Sequence, residues 1–257
     1  MVHGLKRHAR KRSPRLGKTV PQDAYLGGRV RAWQPERGFR SGIDAVLMAA
    51  AVPAKEGQSV LELGCGVGVA SLCLKARVAV HITGLERQAD YAALAQQNGL
   101  HALHGDLAHM PDLLRQQTFD QVMANPPYYR ASDRSAAQDA GREAALTEET
   151  PLFAWVDAAI RRLKPKGYLT MIQNADRLPD LLSAMDARLG SIRVLPLTSR
   201  VAKDAHLVIV QARKGGRTPF VLRPPLILHK GDKHAQDGES YTAEVQDILR
   251  AAVALPI

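Results

Sequence analysis

Residues 59–77 read SVLELGCGVGVASLCLKAR. A short apolar run, Ser59 to Leu63, passes without a spacer into GCGVG, and a helical pattern starts at Val69. Gly64, Gly66 and Gly68 fall at every second position of the turn, where glycine permits tight backbone and close approach of a ligand. The spacing GxGxG is not the dinucleotide pattern GxGxxG, and no P-loop lysine follows it. Strand, glycine turn and helix in that order predict the first unit of a parallel sheet with its ligand beyond the carboxyl ends of the strands.

Working outward, the same alternation continues. Further strand candidates are Ala79 to Leu85, His101 to Gly105, Phe119 to Ala124, Gly167 to Ile172, Ser191 to Pro196 and His206 to Ala212. Helical candidates lie between them at Val69 to Lys75, Gln88 to Gln97, Leu152 to Leu163 and Leu178 to Arg188. This βα alternation predicts an α/β fold with a doubly wound, seven-stranded, mostly parallel sheet. The last two strands have no room for a helix between them and should form an antiparallel pair at the C-terminal end. Upstream, SGIDAVLMAAAV (41–52) predicts a helix with Ser41 as a candidate N-cap and Pro53 as its stop, preceded by a loop with a short hairpin over 21–40.

The chain has 257 residues, 46% hydrophobic and 23% charged, which suits a folded globular domain. No apolar run approaches the ~20 residues of a membrane span. The first eighteen residues carry seven cations, Lys6 to Lys18, without an acid or an apolar core, and do not read as a signal peptide. Of the formal charge of +10, these seven account for most: the remainder holds 28 basic against 25 acidic residues. The expected organisation is a basic, disordered arm over 1–18 and one domain over 19–257. Such an arm suits nucleic-acid phosphates, and equally a solvated terminus. Cys65 and Cys73 are too few for a disulfide framework and read as reduced core thiols of a cytoplasmic protein. The nine histidines show no metal-ligand spacing.

Three strand ends carry chemistry. Glu86 follows the second strand about 20 residues after the glycines, where a carboxylate accepts from two ribose hydroxyls or simply marks a helix N-terminus. Asp106, after the third, is placed for an adenine amino group. Asn125-Pro126-Pro127-Tyr128 closes the fourth. Two prolines fix an extended turn and remove its amide hydrogens, so the Asn125 side chain and the Pro126 carbonyl offer acceptors only. Two acceptors suit a planar NH2 group, whose delocalised lone pair they aim at an electrophile, and Tyr128 can stack on the flat group beside it.

On these residues the sequence resembles the class I S-adenosylmethionine-dependent methyltransferases, and among them the amino methylases with an NPPY motif. LELGCGVG (61–68) resembles their first motif, which implies cofactor roles for Glu62, Gly64, Gly66 and Gly68, alongside Glu86, Asp106 and Asn125. The likeness extends to the bacterial tRNA(Val) N6-adenine methyltransferase family through GFRSGIDAVLMAA (38–50), NPPYYR with Arg142-Glu143, and LILH (226–229) with GESYT (238–242). It implies S-adenosylmethionine as cofactor, tRNA as substrate, Asn125 to Tyr128 as the catalytic turn, and Phe39, Arg40 and Asp44 near the cofactor or target base. An Asp at the start of a helix also serves as a capping charge. Two other functions fit the same residues: methylation of a glutamine amide in a translation factor, and a catalytically silent RNA-binding module.

Overall fold

The computed structural model describes residues 22–130, 147–148, 150–231 and 240–257. The basic arm, Arg142-Glu143 and Gly238-Glu239 lie outside them. The described chain opens with the hairpin β1 (Gln22–Tyr25) and β2 (Val30–Trp33), followed by helix α1 (Ile43–Ala51). The alternating part then runs β3 (Ser59–Leu63), α2 (Val69–Arg77), β4 (His81–Glu86), α3 (Ala89–Gln97), β5 (His101–His104), α4 (Asp112–Arg115) and β6 (Phe119–Ala124). Two short paired strands, β7 (Tyr129–Arg130) and β8 (Thr147–Glu148), precede α5 (Leu152–Arg162) and β9 (Leu163–Asn174). Helix α6 (Leu178–Ala184), β10 (Leu189–Thr198), β11 (Ala205–Lys214), β12 (Val221–Leu222), β13 (Leu226–Ile227) and α7 (Ala243–Ala251) complete it.

The sheet order is β5-β4-β3-β6-β9-β11-β10, with β12 and β13 both added to β10. The first five pair in parallel, while β11 lies antiparallel to both β9 and β10. These seven are the predicted strands, and β11 enters between β9 and β10. The two additional two-residue strands extend the main sheet to nine. Strand order reverses between β3 and β6, which opens a crevice at their carboxyl ends.

Both faces are covered, which explains the near-continuous apolar strands. Val60 packs with α1, α2 and α7 on one side, whereas Leu61 and Leu63 pack with α5 on the other. On α1 every residue from Ala45 to Ala51 is buried, because sheet, α2 and α7 surround it. Several boundaries differ from expectation, two of them for a visible local reason. Gly42, not Ser41, is the N-cap of α1; the Ser41 carbonyl instead accepts from the Tyr25 hydroxyl at 2.8 Å. Helix α6 ends at Ala184, since Met185 is extended and the Asp186 side chain accepts from the Arg188 amide at 2.8 Å, turning the chain.

Candidate active site

The glycine turn after β3 and the strand ends of β4, β5 and β6 meet in one cleft of about 890 Å3, counted to its open mouth. Its walls include Gly64, Gly66, Glu86, Asp106 and all four residues from Asn125 to Tyr128. Gly64 and Gly66 hold φ of +65° and +53°, a region in which a side chain is strained. A Cβ on Gly64 would fall 2.7 Å from Cη2 of Trp155, so this glycine lets the indole close the cleft wall. A Cβ on Gly66 would meet nothing within 4 Å, leaving open space where a ligand approaches the backbone.

Glu86 is held by the turn it faces. Its Oε2 accepts from the Gly66 amide and its Oε1 from the Gln88 amide, both at 2.8 Å. Burial pushes this carboxyl up, and the amides of Gln88, Gly66 and Arg87 work against that shift. A carboxylate has about four acceptor sites, so Glu86 keeps capacity for a further hydroxyl donor. Asp106 Oδ1 accepts from the Ala108 amide at 2.8 Å, which fixes the carboxylate at the rim beyond β5.

The turn from Asn125 to Tyr128 is orphaned on one side and braced on the other. Asn125 Oδ1 is buried and has no hydrogen-bond partner among the described residues. A buried acceptor without a donor is costly, so it marks a place built for a donor that arrives. Gln173, fully buried on β9, donates through Nε2 to the Pro127 carbonyl at 3.2 Å and lies 3.4 Å from that of Pro126. A carbonyl has two lone pairs, and Pro126 therefore still has one to offer. The Tyr128 hydroxyl donates to Asp44 Oδ2 at 2.7 Å.

The upstream residues divide. Phe39 lines the cleft, and its backbone is clipped to Tyr91: the Phe39 amide donates to the Tyr91 hydroxyl at 2.8 Å, which donates back to the Phe39 carbonyl at 3.2 Å. Asp44 reaches the site through Tyr128. Arg40 does not line the cleft and pairs with Asp23 at 2.5 Å. Glu62 and Gly68 are not brought to the cleft either. Glu62 is buried against Ser71, whose hydroxyl donates to it at 2.5 Å, and burial pushes its carboxyl up to about 8. Gly68 is the N-cap of α2, and a Cβ there would fall 2.9 Å from Leu100. Cys65 and Cys73 are buried, with thiols pushed up by burial, which suits packing rather than attack.

Sequence reasoning did not find Tyr91, Thr150, Trp155 or Gln173 as parts of the site. Trp155 anchors the wall by donating from Nε1 to the Thr150 carbonyl at 3.1 Å. Only the helical spacing of Trp155 was visible, and that predicts burial, not a place in the cleft.

Residues 41–201 match the model of the methyltransferase small domain. Two curated relatives, both tRNA1(Val) (adenine(37)-N6)-methyltransferases from strains of Porphyromonas gingivalis, are 29% and 30% identical over 231 residues, covering 82% of this chain and 89% of each relative. A third of the same name, from Shewanella sp., is 28% identical over 193 residues, covering 71% and 81%. Among solved structures, a predicted O-methyltransferase from Agrobacterium tumefaciens superposes with a TM-score of 0.67 at 22% identity, covering 83% of this chain and 99% of that one. The cofactor of this family is S-adenosylmethionine, and the residues fit it: a carboxylate fixed at the glycine turn, open space over Gly66, and an orphaned acceptor lining the same cleft. The chain belongs to the methyltransferase small domain family and is an S-adenosylmethionine-dependent methyltransferase.

Proposed function

We propose that the protein methylates the exocyclic N6 of an adenine in tRNA. The observation that carries this reading is the buried, unpartnered Oδ1 of Asn125 on a turn without amide hydrogens. An aromatic amino group brings the donor that this oxygen lacks, and the free lone pair of the Pro126 carbonyl takes the second hydrogen. The names of the relatives support a tRNA adenine as the carrier of that group.

S-adenosylmethionine, when bound, supplies an electrophilic methyl group on a sulfonium centre. Glu86 would hold the ribose hydroxyls and Asp106 the adenine side of the cofactor, with the Gly64 to Gly66 backbone as the floor. Asn125 sits at the junction of cofactor and substrate. Its oxygen and the Pro126 carbonyl fix the amino plane and favour pyramidal nitrogen, so the lone pair points along one line. As the nitrogen gains a fourth bond its hydrogens become more positive, and the two acceptors bind it more tightly than the resting amine. The nitrogen then gives up one proton to water, which restores a neutral secondary amine. Tyr128 flanks the base, and Asp44 holds that ring in place.

Flipping an adenine from a tRNA loop costs little because the base is already poorly stacked. The seven cations of residues 1–18 add contacts to phosphates without reading sequence. Incubation with methyl-labelled cofactor and total tRNA, followed by nucleoside mass spectrometry, tests the assignment. N6-methyladenosine is the expected product; label appearing in protein glutamine instead, with tRNA blank, would replace it.

A further inference from the structure

Four buried side-chain polar atoms lack a hydrogen-bond partner among the described residues: Asn125 Oδ1, Arg77 Nε, Gln121 Oε1 and Thr170 Oγ1. The first belongs to the cleft. The other three lie at or beside one cavity at the amino ends of the parallel strands, on the opposite edge of the sheet. That cavity holds about 1290 Å3, against about 890 Å3 for the cofactor cleft, each taken to its open mouth.

Its floor is a polar patch in an otherwise apolar sheet. Gln121 on β6, Tyr168 on β9 and Arg213 on β11 are paired in register, so their side chains share one face about 4.8 Å apart. One row above, Thr170 pairs with Gln211, and Gln211 with Arg193 on β10. Gln121 is 3% exposed; its Nε2 donates to Gln58 Oε1 at 2.9 Å, which leaves Oε1 facing no donor. Gln211 is anchored by donating to the Ala51 carbonyl at 2.9 Å. Burying so many polar groups in a sheet is unfavourable unless something completes their bonds.

The charge around the patch says what completes them. Lys55, Arg77, Lys166, Arg193 and Arg213 all line the cavity. Arg77 donates to the Ala49 and Val52 carbonyls at 3.2 and 2.6 Å, and Arg213 to the Lys166 carbonyl at 3.1 Å. These are neutral acceptors. Arg193 is taken up by an oxygen of Ile257 at 2.6 Å, whereas Arg77 and Arg213 keep further donors. Asp120, the one acidic side chain in the lining, is already paired with Lys164 at 2.9 Å. The Arg213 guanidinium lies 5.5 Å from the centroid of the Tyr168 ring, adding a flat surface to the positive wall.

We propose that this cavity is a second ligand site that takes a small phosphate-bearing molecule of the nucleotide class. The phosphate meets the guanidinium and ammonium groups, and an N–H or O–H of the ligand supplies the donor that Gln121 Oε1 lacks. The site faces away from the methyl-transfer cleft and is separate from it in every lining residue.

The test uses the full chain saturated with S-adenosylhomocysteine, so that the adenosine-binding cleft is filled. Adenosine monophosphate, inorganic phosphate and a short RNA lacking adenine are then titrated by calorimetry. One equivalent of adenosine monophosphate should bind, more tightly than phosphate. The double variant Lys166→Ala/Arg213→Ala should weaken it at least tenfold without changing methyl transfer. Gln121→Leu should bring adenosine monophosphate down to the affinity of inorganic phosphate, with unchanged circular dichroism. Absence of binding at millimolar adenosine monophosphate, binding indifferent to the double variant, or an effect of that variant on RNA alone would overturn the proposal.

Discussion

The Tyr128 hydroxyl and the Asp44 carboxylate, 84 residues apart in the chain, meet at 2.7 Å. This bond ties the Asn125–Tyr128 turn to the first turn of α1. Asp44 therefore fixes the Tyr128 ring, which on the proposed function flanks the substrate, beyond any favourable charge it adds at the helix N-terminus.

Tyr128→Phe keeps the ring and removes the tether. Bonds to a charged acceptor contribute about 1.5–3 kcal/mol, and part of that is realised only with substrate in place. The expected result is a fall of about tenfold in kcat with cofactor affinity unchanged. Asp44→Ala should match it, and the double variant should be no worse than either single one. Additive losses in the cycle would mean that the two residues act separately.

Two glycines two positions apart should fail differently. Gly66→Ala pays only for its left-handed backbone, about 1 kcal/mol, but fills the open space of the cleft. Its melting temperature should drop little while calorimetry shows cofactor affinity lower by tenfold or more. Gly64→Ala presses on Trp155, and overpacking of that kind costs about 1–3 kcal/mol more. Stability, measured by urea unfolding, should drop first in that variant.

Glu62 should make stability depend on pH. Its folded carboxyl is raised from 4.5 to about 8 by burial, so between those values the folded state binds more protons than the unfolded chain. The favourable condition is fully present below pH 4.5 and is lost as pH rises toward 8. Glu62→Gln keeps a neutral group of the same shape beside Ser71 and should flatten that decline in urea midpoints. An identical slope in the variant would show that Glu62 does not cause it.

Removing residues 1–18 takes away seven cations. Affinity for tRNA should fall, and the salt dependence should shallow by roughly 0.7–0.9 for each phosphate that is no longer neutralised, with cofactor binding unchanged. Filter binding across a range of salt concentrations reads both quantities. An unchanged slope would mean that the arm takes no part in RNA binding.

What the sequence made legible was local. Strand, glycine turn and helix succeed one another within residues 59–77, and the two prolines after Asn125 announce themselves wherever they occur. The seven central strands were readable because both faces are buried, which makes them long apolar runs. Strands β12 and β13, two residues each, are too short to have a period, and α7 hides its buried Val245 and Ile248 among polar neighbours. Partnerships across the fold were invisible for a different reason. Nothing around Arg40 announces Asp23, and nothing around Gln173 announces the carbonyls of Pro126 and Pro127, because those contacts exist only once hairpin and sheet are assembled. The family resemblance implied a cofactor role for Glu62, while its side chain falls on the face toward α2 and Ser71.

The central claim is that Asn125 holds the amino group that is methylated. Its most direct test is nucleoside mass spectrometry of tRNA treated with the full chain or with Asn125→Ala, beside calorimetry of cofactor binding. The account predicts N6-methyladenosine with the parent chain and a rate lower by about 10²–10³-fold in the variant, as when one electrostatic partner of a transition state is removed, with cofactor affinity within a few-fold. Equal yields of N6-methyladenosine from both proteins would contradict it.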